Sequence, residues 1–432
     1  MAFQQGLSGL DASASQLNAI GNNISNASTV GFKSSNTQFA DIFASTFNGS
    51  NSANVGIGTQ VSAVSQNFSQ GNIQTTGNSL DMAINGLGFF QMTNNGNVSF
   101  SRDGQFQLNK NGFLVDAFGN NLTGYQATNT GQIIAATPAP LQIPTANLTP
   151  NPTSSSTIGI NLNASATAPT TTPFNPADPT SFTSSTSMTV YDSLGNSHVA
   201  TLYFSMAGPP ATGSAAATAG AASIWNTYLT LDGNPVPPAA TGTAQTTIGQ
   251  LGFNSSGTLV YPTATAPLKL GQMSVNATLT NGSTSPQAIT LDFSSSTQYG
   301  APFAVNQLTQ NGYTSGQLSG FSTSATGIIQ GNYSNGQTKN LGQVALANFA
   351  DPQGLQSLGN NQWAETINSG SALVGAPGSG SLGVIQSGAT EGSNVNLTSQ
   401  LVAMITAQRN YQANAQTIKT EDQITQTLIN LR

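Results

Sequence analysis

Apolar residues recur in alternating steps of four and three at both ends of the chain, and in short alternating runs between them. At the N-terminus, Phe3, Leu7, Leu10, Ala14, Leu17, Gly21 and Ile24 form a heptad seam. The seam covers about three heptads, a marginal length for a helix alone in water. Gly21 and the neighbouring asparagines weaken it further. At the C-terminus, Leu397, Leu401, Met404, Tyr411, Ala415 and Ile418 make a second stripe, after which Ile424, Leu428 and Leu431 shift phase. Few charges flank either seam, so ion pairs do not set the register. Two readings stand: ordinary amphipathic helices on a core, or helices that pair with each other and with further copies. No other helical segment and no long apolar stretch lies nearby in sequence, which speaks for the second.

The interior reads as strand and turn. Leu80, Met82 and Ile84 alternate with polar residues, and the turn dipeptides Asn85-Gly86, Asn95-Gly96, Asp103-Gly104 and Asn111-Gly112 follow at hairpin spacing. This predicts an antiparallel meander over residues 79–125. Nine prolines then punctuate Thr, Ser and Ala runs over residues 126–182, as in a linker entering a second domain. Strand pattern returns at Met188–Met206, Trp225–Leu231, Leu259–Tyr261 and Ile289–Phe293, with an Ala/Gly/Thr-rich loop at Ala207–Ala222. A third β stretch runs from Ala304 to Ile385, and the Gly/Ser-rich Pro377–Gly383 precedes the last helix. The predicted fold is α+β and mainly β, with paired terminal helices and discontinuous antiparallel β domains. Its division is 1–30 with 393–432 as a helical core, 31–75 as linker, 76–148 with 298–392 as a discontinuous β domain, and 149–297 as an inserted outer β domain.

Composition narrows the function. Only 5% of the 432 residues are charged and the net charge is −6. With eight Lys and Arg spread along the chain there is no basic patch, so nucleic acid and anionic membrane surfaces are poor partners. Low charge suits subunits packed densely against copies of themselves. The absence of Cys excludes disulfides, thiol catalysis and thiolate metal sites. No apolar run reaches the ~18 residues of a membrane span. Met1–Ser15 lacks the basic start and apolar centre of a Sec signal.

No catalytic, cofactor or metal site is predicted. His198, the single imidazole, has no Cys or second His near it and reads as an edge histidine rather than a ligand or base. Glu421-Asp422 reads as a solvated or interfacial helix face, and Gly86-Leu87-Gly88 lacks the third glycine of a dinucleotide loop. Asn22, Asn23 and Asn26 read as the end of the first helix, with Gly31 permitting a chain reversal. Arg409 has two readings, an interhelical hydrogen-bond donor or a solvated charge, and its retention in so charge-poor a chain favours the first.

Four segments together resemble the flagellar rod and hook axial protein family: NNISNASTVGFK (Asn22–Lys33, including Gly31 and Phe32), LDMAINGLGFFQM (Leu80–Met92), FSRDGQFQLNKNGFLVDAFGNNLTGY (Phe100–Tyr125) and AQRNYQANAQTI (Ala407–Ile418). MTVYDSLGNSHVATLYF (Met188–Phe204) matches more loosely and looks like the outer domain of hook-type members. The long central insertion and the short connection from Lys33 to Gly56 favour a hook-type over a distal rod-type member. The resemblance implies a non-enzymatic subunit of a hollow, flexible helical tube that transmits motor torque as a universal joint. It implies terminal helices forming a coiled-coil-like inner domain, with β domains nested outside. It further implies rod, hook–filament junction proteins, a hook cap and a type III export apparatus as partners. Phe39-Ala40-Asp41-Ile42-Phe43 looks like the export signal through Phe39 and Phe43, or is a turn of amphipathic structure. The self-assembly seam would comprise Phe3, Leu7, Leu10, Leu17 and Ile24 with Leu397, Leu401, Met404, Arg409, Tyr411, Ile418 and Leu428. A rival of another class, a secreted β-rich adhesin, explains the Ser/Thr richness but not seamed helices at both termini. A carbohydrate-active enzyme lacks a credible acid pair.

Overall fold

Both seams fold as helices, Ala2–Ser25 and Leu397–Asn430, and the two pack against one another. The computed structural model describes residues 2–42, 56–238, 244–265 and 267–430. They divide into two units: unit 1 is Met1–Thr145, Ser319–Asn332 and Thr338–Arg432, and unit 2 is Ala146–Leu318 with Tyr333–Gln337.

The first helix ends as its asparagines predict. Asn26 N donates to Asn22 O at 3.1 Å, and the Asn26 amide reaches Asn22 O and Oδ1. Gly31 then turns the chain with φ +72°, and a Cβ there would lie 2.6 Å from Asp103 N, so only glycine fits. The C-terminal helix starts at an asparagine cap, with Asn396 Oδ1 accepting from Ser399 N at 3.0 Å.

Residues 31–75, expected as linker, contain a hairpin of strands Ser35–Ile42 and Gly58–Gln66, and a short strand, Ile73–Thr75, paired with Ala389–Glu391. The hairpin escapes the polar pattern because neither of its faces is buried in a core; only Thr37 of its first strand is buried. A two-stranded ribbon is not stable alone, and this one lies along the first helix.

The β part of unit 1 is built on an ordered path through Ile328–Tyr333, Thr338–Val344, Asn121–Gln126, Phe89–Asn94, Asn97–Ser101 and Gln362–Ala364. Its core is aromatic: Phe89, Phe100, Phe349 and Trp363 meet edge to face, with Phe100 and Phe349 centroids 4.8 Å apart. Two of the four turn dipeptides form hairpins. Asn95-Gly96, both at positive φ, joins Phe89–Asn94 to Asn97–Ser101, and Asn111-Gly112 joins Gln107–Leu108 to Leu114–Val115. The other two do not, so the meander is interrupted. Met82–Asn85 pairs with Val384–Ser387 from the far end of the chain. Gly104 passes so near this strand that a Cβ would stand 1.6 Å from Met82 O. Those glycines serve close approach between distant segments, which local spacing does not reveal.

Unit 2 closes two sheets on one core. One holds Ser184–Tyr191, Ser197–Gly208, Ser223–Leu231, Gly249–Phe253 and Leu259–Tyr261 in that order. The other is ordered Gln272–Ala277, Gln287–Asp292, Ser155–Asn163, Thr297–Tyr299, with Ala304–Gln310 also on Ser155–Asn163. Ile158, Ile160 and Leu162 meet Leu202, Phe204, Trp225 and Phe293 between them. Two expectations change here. Ser155–Asn163 runs parallel to Gln287–Asp292 and to Thr297–Tyr299, so the sheets are not purely antiparallel. Parallel pairing needs a long crossover, and the whole first sheet supplies it. Ala304–Gln310, expected with residues 298–392, belongs to unit 2 through its antiparallel pairing with that same strand. Within Ala207–Ala222, read as a loop, Ala215–Thr218 forms a single helical turn capped by Ser214.

Candidate assembly interface of the terminal helices

The two helices approach through small residues. A Cβ added at Gly6 would lie 2.9 Å from Ile418 Cγ1, and one at Gly9 would lie 2.7 Å from the Asn414 side chain. Gly6, Ser13, Ile20 and Asn23 are buried. Positions 6, 9, 13, 20 and 23 also follow heptad steps, one residue before the apolar seam. The backbones come close on that line, and the bulky residues are displaced to its flank. Phe3 stays 53% exposed and Leu7 47%, while Leu10, Leu17 and Ile24 are half-buried.

The C-terminal helix shows the same division. Gln400, Ala403, Met404, Ala407, Asn414, Ala415 and Ile418 are buried or half-buried, whereas Leu397, Leu401, Val402, Ile405, Tyr411, Ile424 and Ile429 are exposed. Of the predicted seam, Met404 and Ile418 thus lie in the covered part, and Leu397, Leu401 and Tyr411 remain open. Arg409 is exposed. Phe43 and the Leu428 side chain lie outside the described residues. Phe39 sits exposed in a strand, opposite Val61. Exposed apolar side chains thus remain along the two packed helices.

Asn23 does more than end a helix. It is 1% exposed, accepts from Ser35 N and donates to Ser35 O, both at 2.8 Å, tying the helix to the hairpin. Unit 1 also holds an ionic cluster that hydrophobic periodicity could not find. Glu391 binds Lys33 Nζ at 2.6 Å and Arg102 Nη1 at 3.0 Å, with all three side chains buried. Burial pulls the Lys33 and Arg102 pKa values down, and the Glu391 charge opposes it. The scarcity of charge was the one available signal: a chain with so few ions that still spends some internally is using them structurally.

In unit 2, His198 bridges two carboxylates. Its Nδ1 lies 2.6 Å from Asp232 Oδ2 and its Nε2 3.3 Å from Asp192 Oδ2. Asp192 is fully buried and also accepts from the amides of Asn196 and Asn281. Burial would lower the His198 pKa, but hydrogen bonds and charge from Asp232 and Asp192 raise it above the ordinary histidine value. Among the described residues no group of three or more His, Cys, Asp or Glu could hold a metal ion, and no described helix is long and apolar enough to cross a membrane.

Four known families match parts of the chain. Residues 3–33 match the family described as Flagella basal body rod protein, and residues 83–165 the Flagellar hook protein FlgE/F/G D1 domain. Residues 161–313 match the Flagellar basal body protein FlaE D2 domain, and residues 386–431 the Flagellar basal body rod FlgEFG protein C-terminal family. The flagellar hook proteins FlgE of Escherichia coli and of Salmonella typhimurium are each 42% identical over 438 residues, covering 100% of both chains. That of Borreliella burgdorferi is 28% identical over 460 residues, covering 100% of this chain and 99% of its own. In fold, the chain is similar to the Helicobacter pylori flagellar hook protein FlgE2, with TM-score 0.50 and 14% identity over 72% of this chain and 99% of that one. Full-length identity at this level, together with matched domains from the first helix to the last, places the chain in the flagellar hook protein family, to which it belongs.

Proposed function

We propose that copies of this chain polymerise through their terminal helices into a hollow, flexible tube, the flagellar hook, which passes motor torque to the filament as a universal joint. The observation that carries this is the row of exposed apolar residues left after the helices have paired: Phe3 and Leu7 on one, and Leu397, Leu401, Val402, Ile405 and Ile424 on the other. Burying one such side chain fully contributes about 1.5–3 kcal/mol, so several per subunit, repeated along a polymer, hold neighbouring copies together. In this reading the helices line the channel as a coiled-coil-like inner layer and unit 2 carries the outer surface. The subunit meets the rod at one end of the tube and junction proteins at the other, assembles beneath a cap, and leaves the cell through the flagellar export apparatus, with Phe39 and Phe43 in the export signal.

The double substitution Leu401→Glu with Ile405→Glu tests the helix surface. Both residues are exposed in the single chain, so the monomer's circular dichroism should be unchanged. Charges at an apolar contact raise the concentration needed for polymerisation by more than about tenfold, read by sedimentation and electron microscopy. Tubes forming at the wild-type concentration would show that these faces take no part in assembly.

A further inference from the structure

Glu391 sits where four remote stretches of unit 1 meet. Its Oε1 accepts from Lys33 Nζ at 2.6 Å and from Gly71 N at 2.7 Å, and its Oε2 from Arg102 Nη1 at 3.0 Å. Its backbone oxygen accepts from Gly31 N at 2.7 Å. Lys33 Nζ also donates to Ser69 O at 2.8 Å, and Arg102 Nη2 to Gly86 O at 2.9 Å. The guanidinium lies over the Phe89 ring, 5.3 Å from its centroid, at the edge of the aromatic core. Arg102 Nε is buried with no hydrogen-bond partner among the described residues.

Two buried cations therefore share one carboxylate, and that carboxylate lies 358 positions beyond Lys33 and 289 beyond Arg102. The neighbouring Asp103 carboxylate is engaged elsewhere, accepting from Gln105 N at 3.1 Å. Without Glu391, Lys33 and Arg102 would be buried charges without an anion, a defect far more costly than the intact cluster is stabilising. An apolar replacement of all three would not carry that cost.

We propose that Glu391 is a keystone: the β structure of unit 1 closes only once the segment carrying Glu391 is in place. Closure of the β part and seating of the C-terminal helix, which starts at Leu397, then form a single event. A chain whose far end is absent or displaced keeps unit 1 open, and its assembly helices remain unpaired. The arrangement makes the subunit competent to polymerise only when complete.

Hydrogen exchange of the full-length monomer tests this, comparing wild type, Glu391→Gln, and the triple variant Lys33→Met/Arg102→Met/Glu391→Gln. Glu391→Gln should speed exchange by about a hundredfold throughout Met82–Asn85, Phe89–Asn94 and Asn97–Ser101, not merely beside residue 391. The triple variant, with no buried charge left to compensate, should recover most of the protection. Should Glu391→Gln fail to fold, recovery in the triple variant still supports the keystone. Wild-type protection in Glu391→Gln, loss confined to residues 31–33, 69–72 and 389–392, or no recovery in the triple variant would each overturn it.

Discussion

His198 shows how a residue that looked inert from its neighbours in sequence acquires a role from neighbours in space. Strand Ser197–Gly208 places it beside Asp232, from the turn after Ser223–Leu231, and near the buried Asp192. Its folded pKa is raised, so its contribution to stability is complete below the unfolded value and disappears as pH rises through the folded one. Asp192 and Asp232 are lowered by their hydrogen bonds despite burial, so theirs is complete above the unfolded carboxylate value and disappears on acidification. The tie is strongest between about pH 4 and 6.5, the unfolded values of the groups. Thermal unfolding of unit 2 should fall as pH rises above that window in wild type and be flatter in His198→Gln; equal slopes would mean that the bridge is energetically silent. Asn23 and Glu391 teach the same lesson. The first is legible as the end of a helix, but its bonds to Ser35 are not, and nothing in the residues around Glu391 announces Lys33 and Arg102.

At the scale of elements, the terminal helices were readable from period alone, and their observed bounds agree with the seams to within a few residues. Which residues face the partner helix was not readable, because apolar periodicity reports the whole hydrophobic side of a helix. The line of closest approach depends on shape: Gly6 and Gly9 permit it, and Phe3 and Leu7 are pushed aside. This pairing leaves the C-terminal helix weakly anchored, since Ala407 is its one buried hydrophobic residue among those described. Hence an element-scale prediction: in dilute monomer the helix beyond Ile418 frays, and ordering accompanies assembly. Backbone NMR order parameters below about 0.6 for residues 419–430 are expected; rigid values there in the monomer would show that assembly orders nothing. The hairpin of Ser35–Ile42 and Gly58–Gln66 marks the opposite limit, an element unreadable because no face of it is consistently apolar.

For the whole molecule, the strand pairings locate where the outer unit can be removed. Leu148 and Gly316 exchange backbone hydrogen bonds of 2.8 and 3.2 Å, so the long passage of the chain through unit 2, which Tyr333–Gln337 later rejoins, begins and ends at adjacent points. The sequence-based limits of 149–297 would instead strand Ala304–Gln310 without its partner Ser155–Asn163. Joining Leu148 to Gly316 through a short Gly/Ser linker should give a chain that still assembles through its helices but forms tubes of abnormal curvature, visible by electron microscopy. Complete loss of assembly would refute a division of labour between helices and outer unit. The sequence by itself determined the helical ends and the β interior, because each follows from local period and turn chemistry. Tertiary structure alone decided the parallel strands of unit 2, the allegiance of Ala304–Gln310, the helix face left uncovered and the ion cluster at Glu391. Those depend on contacts between residues hundreds of positions apart, where pairing is chosen by packing and by charge compensation rather than by any pattern along the chain.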